Sequence, residues 1–130
     1  MARTTRQFSD INLLFSINPA TADLTKKFDE EAVKASVRNL ISTRNYERPF
    51  HPEIGCQIFS LLFENFTPVT TQIMKKTIFQ VIEKFEPRVV VDDVVIRETP
   101  DQNSIAVDVY FRIVNSEKPI TVTTALSRIR

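Results

Sequence analysis

The sequence predicts an α+β domain in two layers, about three helices packed on one face of a small antiparallel β-meander, and three observations carry that prediction. Helical periodicity prevails between residues 29 and 85 and two-residue alternation from 89 to 126, so helices precede strands instead of interleaving with them. The clearest alternation sets Ile105, Val107, Val109, Phe111 and Ile113 against Ala106, Asp108, Tyr110, Arg112 and Val114. Only the first of these faces is wholly apolar, as in an antiparallel sheet covered on one side. At 130 residues, 42% hydrophobic and 25% charged, the chain holds material for one core. We therefore read 1–130 as a single domain with a flexible, basic N-terminus at 1–7.

Residues Phe8–Ile17 are apolar with partial alternation and read as an extended segment closed by Asn18 and Pro19, after which 19–24 reads as a loop. A helix is predicted from Asp29, as N-cap, to about Arg44, because Val33, Val37, Leu40 and Ile41 fall on one stripe and Glu30 and Glu31 suit the positive end of the helix dipole. The connector NYERPFHPEIG is too rich in proline for helix or central strand. Phe59, Leu62, Phe63 and Phe66 then predict a short buried helix. Thr67 caps the next one, Pro68 sits where its missing N–H is no loss, and Met74, Ile78, Val81, Ile82 and Phe85 line it until Pro87 stops it. Val89–Ile96, interrupted by Asp92-Asp93, reads as a strand with a bulge. A turn at 99–103, the alternating strand, a second turn at 115–119 and the strand ITVTTAL complete the meander.

Composition removes several classes of function. One glycine cannot build phosphate loops, dinucleotide fingerprints or a nucleophile elbow. One Cys and one His make no zinc site or disulfide framework, so no metal and no cofactor is expected, and the lone thiol favours a reducing compartment. A net charge of +1 provides no field for nucleic acid or anionic membrane, and no apolar run reaches membrane-spanning length.

Cys56 reads as a buried structural thiol; a catalytic role needs a base, and His51 is separated from it by a proline-rich interval without an orienting pattern. Glu53, Glu64 and Glu86 lie beside apolar residues and are the carboxylates from which a glycosidase pair could be drawn, which would require one of them to have a raised pKa. Glu86-Pro87-Arg88 has two readings, a helix stop flanked by solvated charges, or a proline-fixed geometry in which Arg88 makes a bidentate contact with a carboxylate. Arg48-Pro49-Phe50 is either a hydrophobic plug at one end of the core or a stiffened loop presenting a guanidinium and a ring to a partner. The last strand, Ile120, Thr121, Val122, Thr123 and Thr124 onward, is either an open sheet edge that accepts another chain's strand or one protected by Lys118 and Pro119.

Taken in order, FSDINLLFSINPATADL, SVRNLISTR, ERPFHPEIGC, LLFENFTPVT and EKFEPRV closely resemble the lysozyme-like baseplate wedge family of contractile-tailed bacteriophages, related to the sheath-initiating baseplate component of type VI secretion. Most specific are R-P-F-x-P-x-x-G, here Arg48, Pro49, Phe50, Pro52 and Gly55, and E-P-R, here Glu86, Pro87 and Arg88. The family's N-P-x-T-G-D loop has Ala22 at its glycine, which predicts a remodelled turn. The resemblance implies a non-enzymatic virion protein of the tail baseplate, present in the host cytoplasm during assembly. It implies binding to the core bundle of the wedge through Glu86, Pro87, Arg88, Arg48 and Phe50, and to the tail sheath through the edge strand. Six copies per baseplate and a monomer in isolation are implied as well. The family's name keeps peptidoglycan hydrolysis as the alternative.

Overall fold

The computed structural model describes residues 8–99, 104–114 and 116–127. The expected flexible N-terminus at 1–7 and the turn at 100–103 lie outside the described residues. Ten elements follow in order: β1 (Ser9–Ile11), β2 (Ile17–Asn18), β3 (Asp23–Leu24), β4 (Lys26–Phe28), α1 (Asp29–Ser42), α2 (Ile58–Leu61), α3 (Pro68–Phe85), β5 (Val89–Thr99), β6 (Ser104–Ile113) and β7 (Pro119–Ser127).

The antiparallel meander β5–β6–β7 forms one layer, and α1 and α3 cover one of its faces. Val94 opposes Val109, which opposes Val122, and Val91, Phe111 and Ile120 align likewise, so the apolar half of each alternation lands on the helices. Val33, Val37 and Ile41 of α1 and Met74, Ile78 and Ile82 of α3 meet that face, each at most 1% exposed. This burial, at roughly 25 cal/mol per Å² of apolar surface, drives the fold. The expected bulge is present: the register shifts between Val91 and Asp93, and Asp92, the extra residue, turns its carboxylate to Arg112 across the strand pair. Thr67 caps α3 as expected, its hydroxyl accepting from the Thr70 N–H at 3.2 Å, with Pro68 as the first helical residue.

Four expectations are corrected. Phe8–Ile17 is not one extended segment, and 19–24 is not only a loop: β1 pairs with β4 and β2 with β3, making two short antiparallel ribbons ahead of α1. Asp29 is not the N-cap of α1. Phe28 occupies that position without a side-chain bond, while the Asp29 carboxylate accepts from the Phe8 N–H at 3.1 Å and the Asp29 N–H donates to the Phe8 carbonyl at 2.9 Å. The side chain that could have capped the helix instead holds β1 in place. The second helix is a single turn, and Phe63, placed on its buried face by spacing, is 67% exposed because the chain has already left the helix. Finally, the turn at Ala22 is not remodelled: Ala22 takes the left-handed backbone, φ 53°, that a glycine would adopt more easily.

Candidate partner-binding surfaces

Glu86 ends α3, its N–H bonded to the Ile82 carbonyl at 2.8 Å, and the chain turns through Pro87 into β5. Pro87 cannot continue the helix, so Glu86 and Arg88 project back toward each other. The Arg88 Nε and Nη2 atoms meet Glu86 Oε1 and Oε2 at 2.5 and 2.8 Å. The Ser36 hydroxyl of α1 donates to the same carboxylate, and the Phe8 ring lies 5.4 Å from the guanidinium carbon. Glu86 is only 3% exposed. Burial pushes its carboxyl up, but the hydrogen bonds from Arg88 and Ser36 outweigh it and hold the group below the usual glutamate value. The reading of solvated charges is therefore wrong for Glu86. The bidentate contact of Arg88 exists, and its acceptor is this chain's own carboxylate, which ties α1, α3 and β5 together.

Beside this pair runs a groove of about 360 Å³ between the N-terminal ribbons and the proline-rich connector, with Asp10, Ile11 and Leu13 on one wall, Arg48 and Ile54 on the other, and Ser36 and Leu40 in its floor. The connector is a closed loop. The Cys56 N–H bonds the Thr43 carbonyl at 2.8 Å and the Tyr46 N–H bonds the Pro52 carbonyl at 2.9 Å. Gly55 makes closure possible, since at φ 146° a Cβ would sit 2.7 Å from the backbone of Arg44. Phe50 stands at the loop's outer end, 97% exposed and at φ 68°, so it is no plug of the core. Among the described residues, the non-glycines with positive φ are Phe15 and Ala22 in the N-terminal ribbons, Asp29 at the start of α1, and Tyr46 and Phe50 in the connector. Such backbone costs about 1–3 kcal/mol per residue and persists where the surroundings impose it.

Sequence reasoning singled out Arg48, Phe50 and the E-P-R element, but it missed the apolar stretch Leu13, Leu14, Phe15 and Ile17, which are 57–82% exposed and of which Leu13 lines the groove. A signal was available: three consecutive apolar residues at 13–15 fit neither a helical nor an alternating face.

In the meander, β7 is an edge strand, paired only with β6 among the described residues. The Val114 N–H donates to the Arg88 carbonyl at 2.9 Å, which makes those two residues a hydrogen-bonded pair of the β5–β6 ladder. Antiparallel alternation then directs the backbone of Ile105, Val107, Val109 and Phe111 to β7, so Ile120, Val122, Thr124 and Leu126 bond to β6. The backbone groups of Thr121, Thr123 and Ala125 face the open edge. Protection is confined to the strand's start, where Pro119 has no N–H and Lys118 reaches Glu30 of α1 at 2.9 Å. On the sheet's outer face Asp108, 2% exposed, accepts from Thr123 of β7 at 2.7 Å and from Arg97 of β5, joining all three strands. Nothing in the alternating pattern distinguished this acid from a solvated one.

Two of the three carboxylates considered for hydrolysis are held in the charged form by their own partners. Glu86 is held low by Arg88, and exposed Glu53 is lowered by hydrogen bonds from its own backbone and from His51, 3.3 Å away. Glu64 is exposed. Cys56 is 1% exposed and burial pushes its thiol up, the opposite of an activated nucleophile.

Residues 28–118 match the family model described as baseplate wedge protein gp25. The baseplate wedge protein gp25 of Enterobacteria phage T4 is 29% identical over 122 residues, covering 92% of this chain and 90% of that protein. The fold is similar to a crystal structure from Geobacter sulfurreducens named for a tail lysozyme, with a TM-score of 0.71 and 20% identity over 78% of this chain and 92% of that one. It is also similar to a chain of the six-fold symmetrised anti-feeding prophage baseplate, with a TM-score of 0.66 and 20% identity over 95% and 87% of the two chains. With the family model spanning most of the described core and the E-P-R and R-P-F elements set in one structural frame, the chain belongs to the gp25 family of baseplate wedge proteins.

Proposed function

We propose that this protein is a non-enzymatic component of the inner baseplate wedge of a contractile tail, which docks on the wedge core through the groove beside Glu86–Arg88 and starts the tail sheath at the β7 edge. Family membership supports the baseplate assignment. The observation that carries the docking site is a groove whose N-terminal wall exposes Ile11 and Leu13 and whose opposite wall carries Arg48, with the exposed Phe50 on the same connector. Rings and guanidinium groups held in advance by a rigid frame lose little freedom on binding, which favours an anchor role for Phe50 and Arg48. Arg88 acts from beneath, as part of the ion pair that positions the groove floor through Ser36. The six-fold symmetry of the related baseplate supports six copies per particle, and in this reading each reaches the tail baseplate of the virion after assembly in the host cytoplasm.

Hydrolysis is disfavoured because a glycosidase needs an acid with a raised pKa, and both Glu53 and Glu86 move the other way.

The docking test replaces Phe50 and Arg48 by Ala. Both side chains are exposed, so the fold should persist while co-purification with wedge core proteins is lost; unimpaired association would reject the groove. The sheath test is Ala125→Pro, which removes an edge-facing N–H without touching the β6–β7 ladder. Truncation from Thr121 onward is unsuitable, because Val122 and Leu126 belong to the core. Particles carrying Ala125→Pro should have baseplates without sheaths, and normal sheaths would reject the edge.

A further inference from the structure

Thr124 lies on the helix-facing side of β7, between the buried residues Val122 and Leu126, and is itself 8% exposed. Its Oγ1 is fully buried and has no hydrogen-bond partner. A buried hydroxyl without a partner loses its hydration and gains nothing in return, so such groups are rare in folded proteins. This one sits on the strand whose outer side is open. Because the Thr124 backbone bonds to β6, a strand added antiparallel to β7 would meet it in a non-hydrogen-bonded pair, the arrangement that brings opposing side chains closest, with Cα atoms about 4.5 Å apart.

We propose that Thr124 selects the partner strand: the edge accepts an antiparallel segment carrying a Ser or Thr opposite Thr124, flanked two residues away on each side by apolar residues opposite Val122 and Leu126. The incoming hydroxyl completes the Thr124 hydrogen bond, and the apolar neighbours extend the buried face of the sheet. The Lys118–Glu30 contact and Pro119 close the start of β7, so the pairing window is Thr121 to Ser127. A slip by one residue would turn the incoming apolar residues to the solvent side, and a slip by two would set an apolar residue against the hydroxyl. Thr124 thereby sets register as well as affinity. This inference rests on the edge-strand reading above.

The test appends to the full chain, after a Gly/Ser linker, a seven-residue strand of alternating pattern whose central inward residue is Thr or Val. The tether raises the local strand concentration to the millimolar range. The readout is amide exchange at Thr121, Thr123 and Ala125. The Thr strand should protect these amides about five-fold more than the Val strand, the factor for one net hydrogen bond. In the Thr124→Val background the preference should vanish or reverse. Equal protection by Thr and Val strands would overturn the selectivity while leaving the edge reading intact. Absence of protection by either strand would overturn the edge reading and the selectivity with it.

Discussion

Replacing Arg88 by Ala should destabilise the protein severely, and the reason is the carboxylate left behind. Glu86 is 3% exposed, and in the native protein its charge is balanced by two hydrogen bonds from Arg88, at 2.5 and 2.8 Å, and by the Ser36 hydroxyl. Removing one member of a buried pair costs about 3–5 kcal/mol, because the remaining charge must stay desolvated or take up a proton. Loss of the guanidinium from the face of Phe8 adds about 0.5–1 kcal/mol. For a domain of this size a loss of 1 kcal/mol lowers Tm by about 4 °C, so Arg88→Ala should melt about 14–24 °C below the parent at pH 7. The double variant Glu86→Gln/Arg88→Met, which removes both charges, should recover most of that loss. The deficit of Arg88→Ala should also shrink in acid, since protonating Glu86 dissolves the ion pair in the parent and relieves the unpaired charge in the variant. Thermal unfolding of the parent and both variants at pH 7 and pH 3.5 checks this. A deficit below about 1 kcal/mol at pH 7, or one equal at both pH values, would refute the claim that Arg88 serves chiefly to hold a buried charge.

Acid sensitivity should be visible in the parent protein too. Glu86 and Asp108 are both held below their ordinary values of 4.5 and 3.8, so the unfolded chain binds protons that the folded chain does not, and stability falls as pH drops through those values and below. Glu86→Gln should flatten the Tm–pH profile below pH 4.5 whatever it does to Tm at pH 7. Gly55→Ala should be costly, about 2 kcal/mol or more, because the added Cβ would lie 2.7–2.9 Å from backbone atoms of Arg44 and Asn45 that cannot move independently; urea unfolding measures it. Ala22→Gly should have the opposite sign, stabilising by about 0.5–1 kcal/mol by relieving the left-handed conformation at φ 53°, and an unchanged or lowered unfolding midpoint would contradict the strain assigned there.

Periodicity made the main architecture legible. The apolar stripe of α1, the Thr67-Pro68 start and Pro87 stop of α3, and the alternation of β6 are local consequences of side-chain spacing and of proline's missing N–H, so they could be read residue by residue. The bulge at Asp92-Asp93 was legible for the same reason: two adjacent acids interrupt an alternation that resumes afterwards. The R-P-F and E-P-R elements were also readable as motifs, and the family model confirms the family they indicated.

What those motifs do locally was not readable. Whether Glu86 is solvated or buried depends on Ser36, 50 residues away on α1, and whether Asp108 is a surface acid depends on Arg97 and Thr123 on neighbouring strands. The ribbons before α1 arise from long-range pairing of very short segments, which propensity cannot foresee. Asp29 could equally cap its helix or hold Phe8, and the pairing of β1 with β4 decided for Phe8. The sequence by itself thus determined the two layers, the order of the helices and of the meander strands, and the family, because burial periodicity is a property of neighbours along the chain. The tertiary structure alone decided which charges are buried, which backbone is held left-handed, and which residues of β7 face the open edge, because each depends on a partner that only folding brings within reach.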